Sequence, residues 1–108
     1  MPKTGGQLIA ESLDTNEVKH VFCVPGESYL GVLDALFDKK KRIKVINARH
    51  EAGAANMAES YGKVTGKPGV ALVTRGPGAC HASVGVHIAH QDSTPMILIV
   101  GDLSLIHI

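Results

Sequence analysis

The chain has 108 residues and a formal net charge of +1, with 44% hydrophobic and 19% charged residues. This length suits one small domain, and the near-neutral charge excludes a broad electrostatic attraction to nucleic acid or to a membrane surface. The two cysteines form no C-x-x-C pair, no apolar leader is visible, and no apolar run reaches the ~20 residues of a membrane span, so we expect a cytoplasmic protein.

Helical periodicity and short apolar runs alternate along the chain. The helices are predicted to start near residues 7, 28, 51 and 79. The apolar runs predict buried strands over 21–24, 43–46, 70–73 and 96–100. We expect the Ser28 hydroxyl to cap the second helix. The repeated helix–strand order predicts an α/β fold, in which a mainly parallel, flavodoxin-like sheet is flanked by helices.

Three unusual loops follow the first three predicted strands: Pro25-Gly26-Glu27, Arg49-His50-Glu51 and Arg75-Gly76-Pro77-Gly78. We expect the loops to meet at one edge of the sheet, because ligands of parallel sheets bind beyond the carboxyl ends of the strands. Glu51 starts a helix rich in Ala and Gly, which leaves room for a large ligand or permits tight helix packing. The alternative is that Glu51 is an ordinary acidic residue in the first turn of a helix, where it complements the helix dipole. The three loops would then be ordinary tight turns.

Four motifs in a fixed order then carry a resemblance: Val21-Phe22-Cys23-Val24-Pro25-Gly26, Arg49-His50-Glu51-Ala52-Gly53-Ala54-Ala55, Thr74-Arg75-Gly76-Pro77-Gly78-Ala79 and His90-Gln91-Asp92-Ser93-Thr94-Pro95. The chain resembles the N-terminal, pyrimidine-binding domain of thiamine diphosphate enzymes of the acetolactate synthase and pyruvate decarboxylase superfamily. The resemblance implies the thiamine diphosphate-binding fold. It also implies that the chain is an N-terminal fragment of a 2-keto acid carboligase or decarboxylase, most like acetolactate synthase.

The resemblance assigns a role to Glu51. The matching glutamate hydrogen-bonds N1′ of the cofactor's aminopyrimidine ring, which favours the imino tautomer that deprotonates thiazolium C2. Burial against a cofactor would raise the pKa of this carboxyl group, while the helix N-terminus would lower it. The resemblance further implies cofactor binding by Pro25, Gly26, Thr74 and Gly78.

Other residues receive weaker assignments. His50, His81 and Gln91 are predicted to face the substrate or a subunit interface, with Gln91 in the turn before the fourth strand. No metal ligand is predicted in this chain. Cys80-His81 stands where the family usually has Thr-Asn.

The resemblance also implies partners beyond these residues. Mg²⁺ and the diphosphate would be held by a domain absent from this chain, and some members of the family bind FAD. A 2-keto acid such as pyruvate is the implied substrate. The implied assembly is a homodimer or tetramer that shares its active site between subunits.

The domain prediction assigns residues 1–102 to the pyrimidine-binding domain, incomplete at its C-terminus, and we expect the 108-residue chain alone to be inactive. Residues 103–108 look like the translation of a sequencing-library adapter, and we expect a non-native tail, with a short natural element as the alternative. A non-catalytic binding or interaction subunit of the same fold is the alternative function. A nucleotide-binding module is disfavoured, because Gly76-Pro77-Gly78 forms neither a G-x-G-x-x-G nor a Walker lysine loop.

Overall fold

The computed structural model describes residues 2–102, so the predicted non-native tail at 103–108 lies outside the described residues. Within this range helices and strands alternate as α1 (Gly5–Thr15), β1 (His20–Cys23), α2 (Leu30–Asp38), β2 (Lys44–Asn47), α3 (Glu51–Thr65), β3 (Gly69–Thr74), α4 (Pro77–Gln91) and β4 (Met96–Gly101). A 3-10 turn at Glu27–Tyr29 precedes α2. The predicted α/β alternation is confirmed. None of the helices in residues 2–102 is long and apolar enough to cross a membrane.

The four described strands form one parallel sheet in the order β2-β1-β3-β4. β3 lies between β1 and β4 and is buried from Gly69 to Val73, which explains its continuous apolar sequence. β2 and β4 form the two edges of this sheet, and β4 leaves Ile97 and Val100 more than two-fifths exposed. Because all strands run the same way, their carboxyl ends lie at one edge of the sheet, as predicted.

Two helix layers cover the sheet, and side chains of β1 alternate between them. Val21 and Cys23 face a core of larger side chains from α1 and α2, including Leu13 and Leu36. Phe22 faces the other side, where the core is made mainly of small residues. The buried helix residues of this second core are Ala54, Ala55, Ala58 and Ala82. One helix layer, made of α1 and α2, therefore packs on the sheet through bulky side chains. The other, the thin layer made of α3 and α4, packs mainly through small ones.

α3 and α4 pack unusually closely within the thin layer. A Cβ added to Gly85 would lie 2.6 Å from the Cβ of Ala55, so only glycine fits there without a shift. Farther along, Lys63 bridges Glu59 and Asp92 at 2.8 and 2.6 Å and ties the carboxyl ends of the two helices together. The Ala- and Gly-rich face of α3 is thus occupied by the packing of α4 and the sheet. The interpretation of this face as open space for a ligand is wrong for its buried part.

The prediction that Ser28 caps α2 is also wrong. The N-cap position of α2 is Tyr29, which makes no side-chain capping hydrogen bond. The 3-10 turn displaces the start of the α-helix, and the Ser28 hydroxyl lies 2.7 Å from Oγ1 of Thr74 at the end of β3. Ser28 therefore links two loops at the carboxyl edge.

We predict that Gly85→Ala lowers the free energy of unfolding by about 1–3 kcal/mol, because the added methyl group overpacks the contact with Ala55. Gly31→Ala is the matched control: this glycine lies inside α2, and a Cβ there meets nothing within 4 Å. The control should be neutral or stabilise the fold by about 0.4–1 kcal/mol. Urea denaturation followed by circular dichroism measures both, and equal effects of the two substitutions would contradict the close helix contact.

Candidate functional site

The loops after β1, β2 and β3 meet at the carboxyl edge, as the sequence predicts. A Cβ on Gly26 would lie 3.2 Å from the Cβ of Thr74, which joins the first loop to the third. A Cβ on Gly78 would lie 3.6 Å from Oε1 of Glu51, which joins the third loop to the start of α3. Gly26, Glu51, Thr74 and Gly78 are therefore brought together, although they are distant in the sequence.

Glu51 is the first residue of α3, and its surroundings hold its carboxylate in place. His50 is the N-cap, and its Nδ1 accepts a hydrogen bond from the backbone N–H of Ala52 at 3.1 Å. Nδ1 of His81, on α4, lies 3.2 Å from Oε2 of Glu51. The His50 and His81 rings stack with centroids 4.6 Å apart. The Glu51 side chain is only 15% exposed in this arrangement.

The protonation of Glu51 reflects opposing effects. Burial raises the pKa of its carboxyl group, but a backbone hydrogen bond, the hydrogen bond with His81 and the charges of His81 and His50 outweigh burial. Together they hold the pKa of Glu51 below its usual value. Glu51 is therefore an ionised, partly desolvated acceptor at neutral pH. Such a carboxylate can accept a hydrogen bond from a protonated ring nitrogen.

The backbone beside Oε1 of Glu51 is closely packed. Gly78 is buried, and a Cβ there would approach Cγ2 of Thr74 to 2.8 Å, so the first turn of α4 can pack on Thr74 only with glycine at this position. Gly26 and Thr74 also border a cleft of about 610 Å³. Gly78 links Thr74 at this cleft to the largely buried carboxylate of Glu51, and a hydrogen-bond acceptor beside a cleft fits a flat, polar ring such as an aminopyrimidine.

Tyr29 stabilises the carboxyl edge of the sheet, and the sequence did not predict this role. It is 4% exposed, and its hydroxyl donates to the carbonyl of Val24, with a second carbonyl, of Leu72, at 3.5 Å. Burial, with the charges of Cys23 and Glu51, raises the pKa of Tyr29 to about 12. Tyr29 therefore stays neutral and fastens the loop after β1 to the sheet. The one signal for it was an isolated aromatic residue three positions after Gly26.

Two predicted site residues lie elsewhere. Pro25 is exposed and borders a separate cleft of about 420 Å³ with Leu33 and Phe37. Gln91 was predicted in the turn before β4, but it is the exposed last residue of α4. A helix of this length places Gln91 roughly 21 Å from Pro77, toward the opposite edge of the sheet. The expectation that Gln91 lies in the turn before β4 is therefore wrong, since the helix continues through it.

His50, Glu51 and His81 also offer metal-ligating atoms, all within 4.8 Å of one another. Two imidazoles and one carboxylate form a ligand set that zinc accepts. In this structure, however, His50 Nδ1 caps α3 and His81 Nδ1 contacts the carboxylate. The prediction of no metal ligand in this chain stays a prediction.

Comparisons with known proteins agree on one family. The family model for the thiamine pyrophosphate enzyme, N-terminal TPP binding domain, matches residues 3–107. The acetolactate synthase of Bacillus subtilis (strain 168) is 43% identical over 99 residues, covering 92% of this chain and 17% of that protein. The mitochondrial acetolactate synthase catalytic subunit of Aspergillus candidus is 42% identical over 101 residues, covering 94% and 14%. The chain thus spans less than a fifth of the length of these curated relatives.

We predict that Glu51 contributes to acid sensitivity. Its folded-state pKa is lowered, so the stability it provides is present above the ordinary value of 4.5 and is lost as the pH falls through the folded-state pKa. The Glu51→Gln variant should therefore lose less unfolding free energy than the unsubstituted chain when the pH drops below 4.5. Denaturant titrations at a series of pH values measure this difference.

Glu27→Gln is the control, because Glu27 lies at the same edge but is 69% exposed and contacts only Arg75, at 3.7 Å, among the ion pairs of the described residues. The control should keep the acid sensitivity of the unsubstituted chain. An unchanged pH dependence in Glu51→Gln would contradict the lowered pKa of Glu51.

Proposed function

Because the chain belongs to the thiamine pyrophosphate enzyme family, as its N-terminal TPP binding domain, we propose that it supplies the activating acid of a 2-keto acid carboligase or decarboxylase most like acetolactate synthase. One observation carries this proposal. The carboxylate of Glu51 is partly buried at the start of α3, and its Oε1 lies beside Gly78, which packs on Thr74 at the border of the cleft at the carboxyl edge. Thiamine diphosphate, when bound, supplies the carbanion chemistry that side chains cannot perform.

In this proposal Glu51 is the catalytic residue. Its carboxylate would accept a hydrogen bond from N1′ of the aminopyrimidine ring, and sharing that proton would favour the imino tautomer of the ring. The lowered pKa supports this role, because the group is an acceptor before any ligand arrives. Gly26, Thr74 and Gly78 would border the ring, and the Ser28 hydroxyl lies 2.7 Å from the Thr74 hydroxyl and would hold it in place. Pro25 stiffens the turn that presents Gly26.

Residues outside this chain complete the site in our proposal. The relatives are about six to seven times as long as the matched segment, and the chain contains no Gly-Asp-Gly motif with a following Asn-Asn pair. We infer that Mg²⁺ and the diphosphate, and FAD if the enzyme uses it, are held by such additional residues. A 2-keto acid such as pyruvate is the substrate that the acetolactate synthase relatives indicate.

A subunit contact fits the outer surface of α3. Val64 is 86% exposed, and with Met57, Tyr61 and Phe22 it borders an apolar cleft of about 450 Å³. Exposed apolar patches of this kind mark interaction surfaces. We propose that this surface packs against a second copy in a homo-oligomer whose active site is shared between subunits.

The test is thiamine diphosphate-dependent carboligation by the complete gene product. We predict that Glu51→Gln lowers kcat by about 10²–10⁴-fold, because the amide cannot share a proton with the ring. Formation of acetolactate from pyruvate, with and without added thiamine diphosphate, measures the loss. Glu27→Gln removes a carboxylate at the same edge and should keep the activity. Retention of most activity by Glu51→Gln would remove Glu51 from the mechanism.

A further inference from the structure

His81 is held against Glu51 from two directions. Its Nδ1 lies 3.2 Å from Oε2 of Glu51, and its ring stacks on His50 at an interplanar angle of 27°. The side chain is 50% exposed and lies outside the hydrophobic core. The contact of His81 with Glu51 therefore lies outside the buried apolar clusters of this layer.

The contact with His81 distinguishes the two carboxylate oxygens of Glu51. Oε2 is engaged by His81, whereas Oε1 is the oxygen beside Gly78, 3.6 Å from where a Cβ would stand. A glutamate has three side-chain torsions, and a contact that fixes one oxygen removes much of that freedom before a ligand binds. The conformational entropy of the Glu51 side chain is then lost on folding, so it adds less to the free-energy cost of binding a ligand.

We propose that His81 is a positioning residue for Glu51, which holds Oε2 through Nδ1 and thereby directs Oε1 toward Gly78 at the start of α4. The identity of the ring that meets Oε1 rests on the proposed function. The positioning itself does not, because it follows from contacts within this chain.

Positioning and charge can be separated by substitution. The groups that act on Glu51 are His81 from α4, His50 from the N-cap of α3, and Tyr29 from the 3-10 turn, which is neutral below a pKa of about 12. His81→Asn keeps a donor near Oε2 but removes the charge, whereas His81→Ala removes both. His87→Ala is the control, because His87 is an exposed histidine on the same helix.

The first experiment follows the Glu51 side-chain carboxyl by carbon NMR through a pH titration of the chain, with no cofactor added. Both His81 variants should shift the titration midpoint upward, and His87→Ala should not. Side-chain couplings of Glu51 should show one rotamer in the unsubstituted chain and in His81→Asn, and averaging in His81→Ala. An unmoved midpoint in His81→Ala, or an equal shift in His87→Ala, would overturn the proposal.

The second experiment measures carboligation by the complete gene product. His81→Ala should lower kcat about 10-fold or more, since misplacing a reacting group is costly, while KM for the keto acid stays unchanged. His81→Asn should recover most of the loss. If Glu51 is essential but His81→Ala is fully active, the positioning role fails while the proposed function stands. If the gene product shows no thiamine-dependent activity but the NMR shifts occur, the proposed function fails and the positioning role stands.

Discussion

Ala55 and Gly85 touch where α3 packs on α4, and this contact sets how near the starts of the two helices come. Glu51 lies four residues before Ala55, and His81 lies four residues before Gly85. Residues four apart share a face of a helix, and both helices start from the carboxyl edge of the same parallel sheet. The closest point of the packing therefore lies one turn away from the Glu51–His81 pair. Any side chain larger than hydrogen at Gly85 would separate the pair as well as the helices.

The close packing of α3 on α4 belongs to the thinner of the two helix layers. On the α1 and α2 side, Leu13, Leu36 and Tyr29 fill the space above the sheet. On the other side the buried helix residues are alanines, which pack against Phe22 and Val73 of the sheet, and a helix that packs through alanine lies closer to the strands. A thin layer brings the first turn of α3 down to the sheet edge. The side chain of Glu51 can then reach the loop after β3.

The sequence could predict what depends on local pattern. Apolar runs marked the four strands, and strand direction followed from the repeated alternation, so the carboxyl edge and its three loops were predictable. The resemblance singled out Glu51. The pairing of Glu51 with His81 and of Ser28 with Thr74 could not be read in this way, because these residues are 30 and 46 positions apart and no periodicity records such contacts. Ser28 was misassigned because its capping propensity is a local preference, which the 3-10 turn overrides.

The exposed edge of β4 has a consequence for the chain taken alone. Within residues 2–102, β4 pairs only with β3, and it presents Ile97 and Val100 to solvent. A strand with unpaired backbone groups and apolar side chains is a template on which another strand can add. Additional polypeptide that continues the sheet would cover this template. Without such a cover, identical chains would compete for it, and self-association through β4 would limit the concentration at which the chain stays monomeric.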